Sequence, residues 1–241
     1  MSDFTVENGA KMVYNHYRKK GHGSMAPGES VKGKEEDPDM ISMEELRQRI
    51  INACEEVSDN ADILTDIDSQ FGDADHGATM INISKAMTAA ARDADGTIRH
   101  MMQEVSVSVE GLSGGNIVPL WHAWLEGLYE GSPDVIEASV EDIRNMFARG
   151  LTSIQSMSDA KVGDKTMMDA LIPASDAIAA SNGDVDEILD MASLAALNGA
   201  EFSKLVPAKF GSARAFGEKT IGTPDVGAMS ISFFFMGLSR K

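Results

Sequence analysis

The stretch Ser42-Met43-Glu44-Glu45-Leu46-Arg47-Gln48-Arg49-Ile50-Ile51-Asn52-Ala53-Cys54-Glu55-Glu56-Val57 sets the character of the chain. Met43, Leu46, Ile50, Cys54 and Val57 recur every three or four positions, which lines one face of an α-helix, and Ser42 with Glu45 has capping-box spacing at its start. The same period returns at Met80, Ile83 and Met87, and at Ile98, Met102, Val105 and Val109. It returns again at Val135, Ile136, Val140, Ile143 and Phe147, where Ser132 is expected as N-cap and Pro133 in the first turn. Further helices are expected over 165–180, 185–197 and 226–238. Only Ile231–Phe235 has an ambiguous strand pattern, and no repeat of solenoid length is present. The expected fold class is therefore all-α, a helix bundle.

Composition narrows the function. Among 241 residues, 21 Lys and Arg stand against 38 Asp and Glu, a formal charge of −17 that would repel a phosphate backbone and excludes the usual basic-patch nucleic-acid binder. With 43% hydrophobic residues the chain has ample material for a core. Cys54 stands alone, so no internal disulfide forms, and no Cys/His set has zinc-finger spacing. No stretch reaches the length of a membrane span and the N-terminus has no apolar run of a signal peptide, so a soluble, cytoplasmic protein is expected. The 16 Met residues, Trp121, Trp124 and Cys54 fall on apolar helix faces and are expected to pack the core, with Cys54 inert.

Residues 1–41 differ from the rest, holding Gly9, Gly21, Gly23, Gly28, Gly33, Pro27 and Pro38 together with a basic knot at Arg18, Lys19 and Lys20 and an acidic one at Glu35, Glu36 and Asp37. They read as a mobile extension ahead of a domain over 42–241. A docking arm built on Tyr14, Tyr17 and the basic knot is the sharper alternative.

The chemistry lies where the helical period breaks. Asp66, Asp68, Asp73 and Asp75 crowd the segment from Asp66 to Gly77, and Asp73 and Asp75, one residue apart in a turn bounded by Gly72 and Gly77, can point the same way. Asp68 can join them from the end of the preceding helix. Clustered carboxylates repel unless a cation neutralises them, and hard oxygen ligands suit magnesium, although Asp is also an ordinary loop residue. An EF-hand is excluded because no Glu stands at the twelfth loop position, and no Walker A sequence is present. The turn Gly111-Leu112-Ser113-Gly114-Gly115-Asn116 before an apolar helix is a candidate anion site or a plain turn. In Gly163-Asp164-Lys165-Thr166-Met167-Met168-Asp169, Asp164 has the look of a helix cap and Lys165 of a solvated charge.

Taken in order, GDADHG at 72–77, Gly114-Gly115, GDKTMMDALIPA at 163–174 and GEKTIG at 217–222 resemble the nucleotide-binding L subunit of bacterial dihydroxyacetone kinase and the equivalent C-terminal domain of single-chain dihydroxyacetone kinases. The resemblance runs from about residue 42 to 241. It implies about eight antiparallel helices closed into a barrel, with ADP or ATP held in the loops at one end through two magnesium ions. The metal carboxylates map onto Asp68, Asp73 and Asp75. Nucleotide contacts map onto His76, Gly77, Ala78 and Thr79, onto Gly114 and Gly115, onto Met167 near the base, and onto Asp225, Val226 and Gly227. The implied partner is a K-type subunit that holds the ketose, which receives the phosphoryl group across the interface. The implied donor is ATP or a phosphotransferase-system protein.

The chain departs from this pattern at the phosphate end. The family's Ser-Gly pair aligns with Ile117-Val118, and Ser113-Gly114 replaces it only through a register shift of four. The family arginine aligns with Ser212, with Arg214 two residues on. A kinase subunit is the leading reading, and a nucleotide-sensing or regulatory homologue without transfer is the alternative.

Overall fold

The computed structural model describes residues 37–241. A short strand β1 (Met40–Ser42) leads into α1 (Met43–Asp59) and α2 (Ala61–Asp68), then α3 (His76–Asp93), α4 (Ile98–Val109) and α5 (Ile117–Gly131). Strand β2 (Glu137–Ser139) precedes α6 (Val140–Met157), α7 (Met168–Ala180), α8 (Val185–Phe202) and α9 (Val226–Leu238). Two 3-10 segments, Ser203–Leu205 and Ser212–Thr220, lie in the long α8–α9 connection. The basic knot, Tyr14 and Tyr17 fall outside the described residues.

The all-α expectation holds, and each sequence-derived period sits on a helix except at Val135 and Ile136, which precede α6. Helix α1 packs on α3, α3 on α4, α4 on α5, α5 on α6, α6 on α7, α7 on α8 and α8 on α9, which returns to α1. Helix α9 is buried from Gly227 to Leu238, which explains why its sequence is apolar all round rather than striped. The ambiguous Ile231–Phe235 run is thus helix. Phe234 meets Trp121 and Trp124 edge-on, with ring centroids 5.4 and 5.3 Å apart, and Phe235 stacks at 5.5 Å on Phe147, so α5, α6 and α9 share one aromatic centre. Cys54 is buried, which pushes its thiol up to about 12 and leaves it unreactive.

Two expectations are corrected. Helix α6 begins at Val140, not near Ser132: Ser139 and Asp142 exchange reciprocal capping bonds, Ser139 N donating to Asp142 Oδ2 at 2.8 Å and Asp142 N to Ser139 Oγ at 3.2 Å. Ser132 instead closes α5, its hydroxyl donating to the Leu128 carbonyl at 2.8 Å. The residues between form a small antiparallel pair that the pattern did not show, Met40 opposite Ser139 and Ser42 opposite Glu137. A three-residue strand is too short to display a period of two.

The β1–β2 end of the bundle is stapled by main-chain bonds, Met43 N to Ile136 O, Ile98 N to Val135 O and Val185 N to Pro38 O. All four helices that start there are capped by side chains: Ser42 for α1, Thr97 for α4, Ser139 for α6 and Asp184 for α8. Helices α3, α5, α7 and α9 start at the opposite end, where the interrupted segments gather.

Candidate functional site

Helix α2 ends at Asp68, and the turn after it brings Asp73 and Asp75 back toward it, so one carboxylate oxygen from each of the three lies within 4.8 Å of the others. Local geometry enforces this. Asp68 Oδ2 accepts from Asp75 N at 3.1 Å and His76 N at 3.3 Å, clamping the turn to the helix it left. Gly72 lies so close that a Cβ there would stand 2.0 Å from Asp68 Oδ1. Ala74, between the two outer carboxylates, holds a left-handed φ of 62°. Loss of hydration, then the charges of Asp73 and Asp68, hold the Asp75 carboxyl above its ordinary range. Among the described residues no Lys or Arg forms an ion pair with any of the three. An all-oxygen set without a protein counter-charge fits a hard divalent cation such as magnesium.

Directly beyond Asp75, a cleft of about 280 Å³ opens where the N-termini of α3, α5, α7 and α9 converge. His76, Asn116, Ile117, Met167, Asp225, Val226 and Gly227 line it, with Leu120, Ile154, Met168 and Phe210 adding apolar wall. A cleft with apolar walls and a few polar groups at its ends suits a flat aromatic base joined to a charged tail. The N-cap residues of α3, α5 and α7 make no side-chain cap bond, unlike those at the far end, and although Asp68 takes up His76 N and Thr166 Oγ1 takes up Met168 N at 3.2 Å, the helix starts turn their partial positive charge toward this region. Burial drops His76 to about 4, so it is a neutral imidazole, with Nε2 3.3 Å from Ser230 Oγ. Asp225 caps α9 by accepting from Ala228 N at 2.8 Å, and burial pushes it up to about 6.

The expected nucleotide residues divide. His76, Met167, Asp225, Val226 and Gly227 reach the cleft together. Gly77 packs α3 against α2, because a Cβ would meet Ala61 O and Thr65 Oγ1 at 2.2 Å. Thr79 is buried against Gly114, whose Cβ would stand 2.5 Å from Thr79 Cγ2, which sets the glycine turn beside the start of α3. Ala78 and Gly115 are exposed, and Gly115 has open space on its Cβ side. Arg214 is exposed on the Ser212–Thr220 segment, three residues from Gly211, which lines the cleft. That segment leans on the carboxylate turn through Phe216, whose ring lies 5.2 Å from that of Phe71. Ile117 faces the cleft, whereas Val118 is buried in the core.

Two readings of 163–169 are overturned. Lys165 is not solvated but buried, with a left-handed φ of 60°. Asp164 caps no helix: its carboxylate pairs with Lys209 at 2.6 Å, which holds it below the usual range. Asp169 is buried and accepts from Gly163 N at 2.7 Å and Thr166 N at 2.9 Å, shaping the loop that presents Met167. Leu120 and Ile154 were not identified in the sequence because wall residues at helix ends share the apolar period of the core.

Residues 70–240 match the DAK2 domain family. L-erythrulose 1-kinase of Mycolicibacterium smegmatis is 32% identical over 187 residues, 76% of this chain and 33% of that enzyme. The ADP-binding subunit DhaL of the PEP-dependent dihydroxyacetone kinase of Escherichia coli K12 is 29% identical over 201 residues, 80% of this chain and 96% of that subunit. The chain thus spans about a third of the erythrulose kinase and nearly all of the subunit. The dihydroxyacetone kinase from C. freundii, solved in complex with AMP-PNP and Mg2+, shares the fold with a TM-score of 0.60 at 19% identity, over 90% of this chain and 37% of that one.

Proposed function

This chain belongs to the DAK2 domain family, and from that premise we propose that it is the nucleotide-binding part of a ketose kinase acting on dihydroxyacetone or a related short ketose such as erythrulose. The observation that carries the reading is the placement of three unpaired carboxylates next to a cleft into which His76, Met167, Asp225, Val226 and Gly227 converge. Asp68, Asp73 and Asp75 hold magnesium, two ions by the family resemblance, and bound magnesium neutralises the charge that develops on phosphate oxygens during transfer. The apolar walls about Met167 take the adenine of ADP or ATP. The starts of α3 and α5, with Gly114, Gly115 and Arg214, face its phosphates. The ketose sits on a separate K-type subunit, because no residue of this site is placed to hold a sugar, and a phosphotransferase protein or ATP supplies the phosphoryl group. The domain so assigned runs over 42–241, and residues 38–41, expected in the extension, pack onto it through β1 and the Pro38 carbonyl.

Calorimetric titration tests this reading. ADP binds the wild-type chain only with magnesium, and neither Asp73→Ala nor Asp75→Ala shows that dependence. Ketose phosphorylation appears only when a K-type subunit is added. Undiminished ADP binding in both variants, or turnover by the chain alone, would refute the assignment. The regulatory alternative draws on Ile117, an apolar side chain in the cleft at the position the family gives to serine. It predicts ADP binding with no turnover beside any K-type partner.

A further inference from the structure

The connection from α8 to α9 is a loop whose two ends meet. Gly222 N donates to Lys204 O at 2.8 Å and Asp225 N to Ser203 Oγ at 2.8 Å. Between these ends it carries the Ser212–Thr220 segment to the carboxylate turn, where Phe216 packs on Phe71 and Thr223 Oγ1 donates to Gln70 Oε1 at 2.8 Å. Within the loop, buried Thr220 braces the base of the tip, its hydroxyl accepting from Ala208 N at 2.9 Å and donating to Gly217 O at 2.7 Å, but the glycines around it add no packing. Gly211, Gly217 and Gly222 hold left-handed φ values of 66°, 52° and 100° with nothing near their Cβ positions, so the backbone there turns without packing to stop it. Where the tip stands against the bundle is therefore set by contacts from outside the loop, among them the pair of Lys209 with Asp164 at 2.6 Å.

Lys165 reaches the neck from the α6–α7 connection. Its side chain is 4% exposed, and its ammonium donates to Ser203 O at 2.6 Å and also to Thr223 O, one carbonyl from each end of the loop. No carboxylate forms an ion pair with it among the described residues, although Asp225 and Asp169 are near enough to favour its charge against burial. An ammonium desolvated for two neutral carbonyls is a costly way to fill space that an apolar side chain would fill as well. The left-handed backbone at a non-glycine residue adds strain at the same position. Both costs are accounted for if the donor itself is needed.

We propose that Lys165 is a positioning residue: its ammonium ties the two ends of the 203–223 loop and thereby sets where the tip carrying Arg214 and Phe216 stands against the carboxylate turn. The consequence for nucleotide rests on the function proposed above, but the tie itself does not.

Limited trypsin digestion of the nucleotide-free chain reads the tie directly, since Arg214 and Lys219 are exposed on the tip while Lys85 and Arg149 are exposed within helices and open only on wider unfolding. Two variants remove the ammonium in different ways. Lys165→Met keeps the bulk, and Lys165→Gly relieves the left-handed backbone. In both, cleavage at Arg214 and Lys219 quickens by about tenfold while cleavage at Lys85 and Arg149 stays at the wild-type rate. Unchanged cleavage at the tip, equal acceleration at all four sites, or failure of both variants to fold would each overturn the proposal, the last two because they make Lys165 a support of the bundle. Magnesium–ADP calorimetry on the same samples separates the readings: a wild type that does not bind ADP sinks the function while the tie stands. Wild-type affinity in a variant whose tip is released sinks the positioning role.

Discussion

Replacing Gly72 by alanine tests the carboxylate cluster without touching a carboxylate. A Cβ at position 72 would lie 2.0 Å from Asp68 Oδ1, 2.8 Å from Asp68 Cγ and 3.0 Å from the Asp68 carbonyl oxygen, where ordinary contact begins at 3.4 Å. The Asp68 carboxylate must therefore swing away by more than an ångström, and in doing so Oδ2 releases Asp75 N and His76 N. Each of these bonds, on a half-buried carboxylate, contributes about 1 kcal/mol, so a loss of stability of about 1–2 kcal/mol is expected. The effect on cation binding is larger, because ligand distances tolerate only about 0.2 Å. Disturbing a supporting contact alone costs about 10–100-fold in metal affinity, and a displaced ligand costs at least that. Calorimetric titration with magnesium, alone and with ADP, reads the affinity, and thermal unfolding followed by circular dichroism reads the stability. Gly115→Ala is the control for stability and for magnesium titrated without ADP, since its Cβ meets nothing within 4 Å and it should change neither. Wild-type magnesium affinity in folded Gly72→Ala would show that Asp68 is not a ligand.

Asp225 gives a pH test whose sign is fixed by its raised folded value of about 6. The folded protein binds this proton more tightly than the unfolded chain between about pH 4 and pH 6, so the stability it contributes at low pH is lost as pH rises through about 6. Asp225→Asn keeps an acceptor for Ala228 N and should gain on the wild type over that window, by at most about 3 kcal/mol because the group opens partly to the cleft. Denaturant curves that stay parallel from pH 4.5 to pH 7 would contradict this. At the phosphate end, Arg214→Ala should weaken ADP about tenfold if Arg214 has taken over from the family arginine, one decade being about 1.4 kcal/mol. Under the regulatory alternative that change matters little and the pair Ile117→Ser with Ser212→Arg tightens ADP; no effect from either would place the phosphates elsewhere.

Helix-forming segments were legible because burial on one face leaves a period, as at Met43, Leu46 and Ile50. Asp68, Asp73 and Asp75 were legible because clustered like charge needs an explanation. The start of α6 was misread because Ser132-Pro133 and Ser139-Val140-Glu141-Asp142 are both good openings, and the choice between them depends on β1, a partner almost a hundred residues upstream. Lys165 was misread for a related reason. A lysine is buried only when distant carbonyls meet its ammonium, and Ser203 and Thr223 belong to a loop without a period. Phe71 and Phe216 likewise signal nothing singly; their significance is that they touch.

A chain with a formal charge of −17 is an unpromising host for a polyphosphate, yet the charge is unevenly arranged. Helix starts at the β1–β2 end are closed by Ser42, Thr97, Ser139 and Asp184, whereas the N-cap residues of α3, α5 and α7 around the cleft give no side-chain cap. The carboxylates of Asp169 and Asp225 at that end are taken up by main-chain N–H groups, and Asp164 by Lys209. Around the cleft this leaves helix dipoles and the three carboxylates suited to cations, a local field opposite in sign to the net charge once magnesium is bound. Side chains and main chain contribute to that field separately. Under the proposed function Ile117 and Ser212 stand where the resemblance implies side-chain donors, but main-chain N–H groups at the starts of α3 and α5 do not depend on either side chain. Phosphate affinity should therefore be reduced rather than lost, with Arg214 deciding by how much.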